Sequence, residues 1–231
     1  ILDQSRANLF LQNFLPFQRL IAAYGLWNSL AQLVLKLTAP GVPDFYQGTE
    51  LWNFSLVDPD NRRPVDFSAR RRLLEELQQA CASSPERTAL VRHLLEHRTD
   101  GRLKFYALFS LLTYRRSRPE LFSNGTYVPL GIVGERKDQA CAFARLEQDQ
   151  AVVVAVPRLV TRLCADANRP PIGPEIWGES WMTVPSWNAR THYRNLLTGE
   201  NLAPSLAEGR HVLRLGDVFR ELPVAVLERL T

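Results

Sequence analysis

Apolar residues recur at intervals of three and four early in the chain, where Leu9, Phe10, Phe14, Phe17, Leu20 and Ile21 fall on one helical face. Pro16 is expected to kink or split this run, because an interior proline removes a backbone hydrogen bond, and Gly25 is expected to end it. Ser29 with Gln32 reads as a capping box that opens a second helix running to about Leu37. Pro40-Gly41 stops that helix. Val42-Pro43-Asp44-Phe45-Tyr46, rich in strand formers and closed by Gln47-Gly48, predicts a short buried strand. From Thr49 to Phe67 no period is sustained, and Asp58-Pro59-Asp60-Asn61 and Pro64 supply turn chemistry, so an ordered loop of functional length is expected. Three more helices are expected over 68–82, 83–98 and 102–116, with Asp100-Gly101 as a turn and a second capping box between Ser83 and Glu86.

After Pro119 the period shifts toward two or to solid apolar runs. Segments 127–133, 139–144, 151–156, 181–184, 192–196, 210–215 and 224–230 read as strands of an all-β module, best described as a sandwich. The boundary is expected near residues 121–125, and the Pro/Gly-rich stretch 168–174 is expected to stay out of the sheets.

Composition narrows the function classes. A hydrophobic content of 45% supports a real core, and the apolar runs 30–37 and 151–156 fall short of the ~20 residues of a membrane span, so no membrane partner is expected. The net charge of +4 is spread over interleaved Arg70-Arg71-Arg72 and Glu75-Glu76, a pattern of solvated helix faces rather than a nucleic-acid stripe. Cys81, Cys141 and Cys164 are too few and too scattered for a disulfide framework, which favours a cytoplasmic home. His93 and His97 have the i,i+4 spacing of a helical metal site, but without a carboxylate in a His-Glu arrangement they read as a surface pair, and no metal or cofactor is expected. The start, Ile1-Leu2-Asp3-Gln4-Ser5-Arg6, lacks the pattern of a signal peptide and reads as a cut within a longer chain.

The segment Leu37-Thr38-Ala39-Pro40-Gly41-Val42-Pro43-Asp44-Phe45-Tyr46-Gln47-Gly48-Thr49-Glu50 resembles the eighth-strand signature of the α-amylase superfamily of glycoside hydrolases (glycoside hydrolase family 13). Its continuation, Leu51-Trp52-Asn53-Phe54-Ser55-Leu56-Val57-Asp58-Pro59-Asp60-Asn61-Arg62-Arg63-Pro64-Val65-Asp66-Phe67, is similar to the long loop of maltooligosyltrehalose synthases. Asn28-Ser29-Leu30-Ala31-Gln32, Asp100-Gly101-Arg102-Leu103-Lys104, Arg118-Pro119-Glu120-Leu121-Phe122 and Leu222-Pro223-Val224-Ala225-Val226-Leu227 agree with the same family. The resemblance implies an α+β chain in which residues 1–121 are the C-terminal portion of a (β/α)8 catalytic barrel, helices plus last strand, and residues 122–231 a β-sandwich C-terminal domain. It also implies a maltooligosaccharide or α-glucan substrate, and as partner the remaining N-terminal barrel of the same enzyme, which carries the family's catalytic carboxylates; none is expected in this chain.

Within the loop, sugar recognition calls for planar polar groups beside an aromatic face. Asp58, Asp60, Asn61, Arg62 and Arg63 offer the first, Tyr46 and Trp52 the second. The competing reading makes Asp58-Pro59-Asp60-Asn61 a plain turn rigidified by Arg–Asp pairing, and Tyr46 and Trp52 core aromatics. Gln47 and Glu50 stand where a strand end meets a loop and either line a site or satisfy backbone groups. Lys104 and Arg102 read as surface residues of a first helical turn, and Trp177, Trp181 and Trp187 as core and edge packing. The function that follows is part of an isomerase converting the reducing-end α-1,4 linkage of a maltooligosaccharide into an α,α-1,1 linkage. The alternative is a non-catalytic carbohydrate-binding or interdomain module of an amylase-like enzyme.

Overall fold

The computed structural model describes residues 8–83, 87–187 and 191–230. Its first element, α1 (Leu9–Thr38), is a single 30-residue helix and not the two predicted. Asn8 caps its start, the side-chain oxygen accepting from the Leu11 N–H at 3.2 Å. Pro16 and Gly25 both remain inside it, and Ser29 and Gln32 are interior residues, so the first capping box does not form. At Gly25 the reason is tertiary: Tyr24, Leu26, Trp27, Leu30, Val34 and Leu37 are buried on consecutive turns, which holds the helix through that glycine, whereas Pro16 lies in the exposed first half, where no packing explains its place in the helix. By length and composition α1 is also apolar enough to cross a membrane, which the short apolar runs did not foretell, although its second half is packed into the core.

Guanidinium groups close the end of α1. Arg115 donates to the carbonyl oxygens of Leu37 at 2.8 Å and Gly41 at 2.6 Å, and Arg145 donates to that of Thr38 at 3.3 Å. Cations at the last carbonyls suit the helix dipole. The predicted strand over 42–46 is absent: the segment is extended, but a strand requires a ladder partner, and none of the described strands lies beside it. Val42 is 94% exposed.

The remaining helices are α2 (Phe67–Ser83), α3 (Thr88–Glu96), α4 (Arg102–Ser117) and α5 (Pro119–Ser123). The second capping box involves Glu86, outside the described residues. Gly101 joins the 3₁₀ turn Arg98–Asp100 to α4 at φ 85°, and a Cβ there would stand 3.1 Å from the Trp52 backbone nitrogen, so glycine is required on two counts.

Strands follow from Thr126: β1 (Thr126–Pro129), β2 (Ile132–Val133), β3 (Ala140–Glu147), β4 (Gln150–Pro157), β5 (Trp181–Thr183), β6 (His192–Asn195), β7 (Asn201–Leu202), β8 (Ser205–Ala207), β9 (Arg210–Arg214) and β10 (Ala225–Leu230). Short helices α6 (Val160–Leu163), α7 (Pro174–Trp177) and α8 (Leu215–Val218) interrupt them. The strands form two antiparallel sheets, ordered β1-β3-β4-β10-β6-β7 and β2-β5-β9-β8. The single strand expected over 127–133 is therefore two strands in different sheets, and β7 and β8 were not foreseen.

Ala142, Val153, Ala155 and Leu227 of the larger sheet meet Met182 and Leu213 of the smaller, with Val184 just after β5, across a shared core that holds Trp177 and Phe219. The opposite face of the larger sheet, with Phe143, Val152, Val154 and Val226, packs on Trp27, Leu30 and Val34 of α1. Covered on both faces, β4 is apolar at consecutive positions instead of alternating.

Polar ties join the helical part to the sheets. Arg92 makes a two-point contact with the Glu221 carboxylate at 2.6 and 2.7 Å, and the Tyr24 hydroxyl donates to the Cys164 carbonyl at 2.8 Å. Glu228, buried, pairs with Arg194 at 2.7 Å and Arg118 at 3.2 Å.

Candidate functional site

The segment from Pro40 to Phe67 lies against the helical part, and its ties run to α2, to α4 and to the turn between α3 and α4. The Trp52 indole N–H donates to the Arg98 carbonyl at 2.6 Å. Lys104 Nζ donates to the Leu51 carbonyl at 3.1 Å and stands 5.6 Å from the Trp52 ring centre. Glu50 pairs with Arg70 of α2 at 2.8 Å, while a second nitrogen of the same guanidinium donates to the Gly48 carbonyl at 3.0 Å. Glu50 and the Trp52 indole nitrogen therefore tie the base of the loop to Arg70 and to the Arg98 carbonyl.

Lys104 is buried, not the surface residue its first-turn position predicted. Burial lowers its pKa, opposed by the charge of Glu50 and assisted by that of Lys36. The signal lay in the neighbours: a lone Lys between Leu103 and Phe105, in a stretch continuing through Tyr106, Ala107 and Leu108, enters the core with those residues. Arg102 pairs with Asp100 at 2.7 Å at the exposed turn.

Lys104 also lines a cavity of about 260 Å³ with Gln32, Lys36, Asp44, Tyr46 and Thr49. Tyr46 is 47% exposed there, its carbonyl accepting from the Thr49 N–H at 3.2 Å. Lys36 Nζ sits 4.3 Å from the Phe45 ring centre, and Gln47 is exposed. An open aromatic face beside ammonium, carboxylate and amide groups is a chemistry that grips hydroxyl-rich ligands. Of the predicted residues, Tyr46 belongs to this cavity. Lys36, Asp44 and Gln32 were missed, since the cavity exists only where α1 and the extended segment meet.

Asp58, Asp60, Asn61, Arg62 and Arg63 make up the tip of the loop around the 3₁₀ turn Asp60–Arg62. Asp58 pairs with Arg62 and Asp60 with Arg63, all within the loop, and the other carboxylate oxygen of Asp60 accepts from the Leu56 N–H at 2.8 Å. Asn61 Oδ1 is buried without a hydrogen-bond partner. Phe54, Leu56 and Val57 beside this turn are exposed. The arginines are thus self-paired but stay in contact with solvent. Among the described residues, those able to ligate a metal together are His93, Glu96 and His97 at the end of α3. Trp177 is fully buried in the sheet core, its indole N–H donating to the Pro171 carbonyl at 2.9 Å, which matches its packing assignment.

No protein-family model matches the chain. A curated Mycobacterium tuberculosis protein assigned as a maltooligosyl trehalose synthase is 40% identical over 136 residues, 59% of this chain and 14% of that protein. The structure of maltooligosyltrehalose synthase from Arthrobacter ramosus superposes with a TM-score of 0.71 at 30% identity, covering 97% of this chain and 25% of the other. A further maltooligosyl trehalose synthase structure gives 0.62 at 26% identity over 96% of this chain and 24% of its own. The α-amylase of Geobacillus thermoleovorans, at 18% identity and a TM-score of 0.50 over 89% of this chain and 34% of the amylase, shares the fold alone. The chain is thus similar in sequence and in fold to maltooligosyl trehalose synthases, of whose length it spans a small part, and its mixed helix-and-sheet architecture is amylase-like.

Proposed function

We propose that the chain forms part of an intramolecular transglucosylase that turns the reducing-end α-1,4 linkage of a maltooligosaccharide into an α,α-1,1 linkage. Similarity to the Arthrobacter ramosus enzyme along 97% of the chain carries this reading. Residues 1–121 then supply the closing helices of a (β/α)8 barrel and the extended segment 42–46 its last strand, paired once neighbouring strands are present. Residues 122–231 form the sandwich behind it, and a cytoplasmic home belongs to the same proposal.

Retaining transfer needs a nucleophilic carboxylate and a carboxylic acid about 5 Å apart across the scissile bond. Because the chain spans a quarter of that relative's length, this reading places the pair in the rest of the enzyme. The role left for segment 40–67 is to hold the released glucose unit while its anomeric hydroxyl attacks the glycosyl-enzyme, and to exclude water meanwhile. The Tyr46 face and the cavity beside Lys36 and Lys104 would receive the sugar, while the self-paired Asp58–Arg62 and Asp60–Arg63 tip would cover it, its arginines exchanging partners for hydroxyls.

Product analysis with maltopentaose tests this. The 231-residue chain alone is expected to form no trehalosyl product. In the full-length enzyme, Arg62→Ala is expected to lower the ratio of isomerisation to hydrolysis; an unchanged ratio removes the loop from the mechanism. A second reading, in which the sheets serve as an interdomain brace, is favoured by the Arg92–Glu221 pair and the Tyr24 hydroxyl contact. Retardation of the chain in glucan affinity electrophoresis that persists in a Tyr46→Ala variant would give the sheets a binding role instead.

A further inference from the structure

The end of α3 holds a side-chain cluster that the loop chemistry leaves unused. His93, Glu96 and His97 are all exposed, and their potential ligand atoms, two imidazole nitrogens and a carboxylate oxygen, lie within 4.8 Å of one another. Residues three and four apart share a helix face, and the two imidazole ring centres stand 4.4 Å apart.

His97 Nδ1 lies 2.9 Å from the His93 carbonyl oxygen. That oxygen can only accept, so Nδ1 carries the hydrogen and Nε2 of the neutral ring keeps a free lone pair. A backbone carbonyl on one ring nitrogen is the arrangement that orients a histidine toward a metal through the other. His97 also caps the C-terminal end of a nine-residue helix, where the backbone dipole presents its negative pole to a cation. The adjacent arginines are directed elsewhere, Arg92 to the Glu221 carboxylate and Arg98 to the Asn168 carbonyl.

We propose that His93, Glu96 and His97 form a surface chelate for one divalent transition-metal ion of the zinc class, with its remaining coordination positions filled by water. Zinc bonds to imidazole nitrogen and carboxylate oxygen run about 2.0–2.2 Å. Drawing the three ligand atoms onto one ion therefore takes a rotation of exposed side chains and no movement of the helix. Two imidazoles select zinc, nickel and copper over magnesium and calcium, which prefer all-oxygen surroundings. The bound ion staples the last turn of α3 immediately before Arg98, whose carbonyl accepts the Trp52 indole N–H.

Calorimetric titration of the chain, prepared without a histidine tag, with zinc chloride tests the site. One ion per chain is expected, with magnesium failing to compete, and with affinity reduced about tenfold or more in a His93→Ala/His97→Ala double variant. Circular dichroism verifies that the variant keeps the parent's helix content, and the His97→Gln single variant gives a second reading in the same direction. Zinc should raise the unfolding midpoint of the parent chain and leave that of the double variant in place. A smaller loss of affinity in the double variant, or no zinc binding to the parent chain at millimolar ion, overturns the proposal.

Discussion

Val152, Val153, Val154 and Ala155 at the centre of the larger sheet are wholly enclosed, whereas Phe10, Phe14, Phe17 and Ile21 on the first half of α1 lie open, Phe17 at 59% exposure. The sheets bury their apolar residues on each other and on the second half of α1; the helical part presents much of its own outward. Exposed apolar stripes of this kind mark surfaces made for a partner. Stability should therefore reside in the sheets, and the open stripe should contribute to association.

Substitution on each side tests that contrast. Trp177 is fully buried, its ring centre 4.6 Å from that of Phe219. Trp177→Ala should cost about 3–5 kcal/mol, the range for truncating a core aromatic, read as a fall in the urea midpoint. Phe14→Ala should change stability by no more than about 0.5 kcal/mol. Equal losses from the two variants would show that the open stripe carries as much of the fold as the closed core.

Arg145 sharpens the comparison at the junction. It is 1% exposed and donates to the carbonyls of Phe122 at 2.9 Å, Gly125 at 2.9 Å and Thr38 at 3.3 Å, tying β3 to α5 and to the end of α1. Arg145→Ala leaves those acceptors buried and unmatched, and should cost about 3 kcal/mol at a typical desolvation penalty of about 1 kcal/mol each. Arg145→Lys, lacking the planar fork, should recover part of this. If Arg145→Ala unfolded at the parent's urea midpoint, the junction would be held by apolar packing alone.

How much of this was legible beforehand depended on whether a signal was local. The apolar run at 151–156 announced a strand because β4 is covered on both faces, and the turn residues from Asp58 to Pro64 announced a loop. Gly25 misled, since it is a local breaker inside a stretch held by remote partners such as Val152 and Val226; Pro16 misled as well, in the exposed first half of α1 where no packing accounts for it. The strand expected at 42–46 failed for the matching reason: Val42 and Phe45 carry strand propensity, but pairing needs a neighbour that propensity cannot supply. In the candidate site, the Arg–Asp pairing weighed for the turn is present as Asp58–Arg62 and Asp60–Arg63, and Tyr46 was found by resemblance. Lys36 and Asp44 come together only through the approach of α1 to the extended segment. Glu96, three residues after His93, was visible in the sequence and was passed over because the carboxylate was sought in a different arrangement.

The smallest effect expected concerns protons. Burial raises the Tyr193 phenol from 10.0 to about 12, and burial also raises Tyr106 and Tyr114 in the helical part. Between pH 10 and pH 12 the folded chain keeps the Tyr193 proton and the unfolded chain releases it, so the unfolded state binds fewer protons and stability falls as pH rises. Below pH 10 both states hold the proton and the contribution is constant. The slope due to one such group is at most about 1.4 kcal/mol per pH unit. Tyr193→Phe should therefore make the alkaline decline of the urea midpoint shallower across that window and leave its shape below pH 10 as in the parent. Tyr106→Phe should flatten the same decline from the helical side, and because the Tyr106 hydroxyl donates to the Leu197 carbonyl across the junction, it should also cost stability at neutral pH. An alkaline decline of unchanged slope in both variants would mean that neither part loses its stability through these phenols.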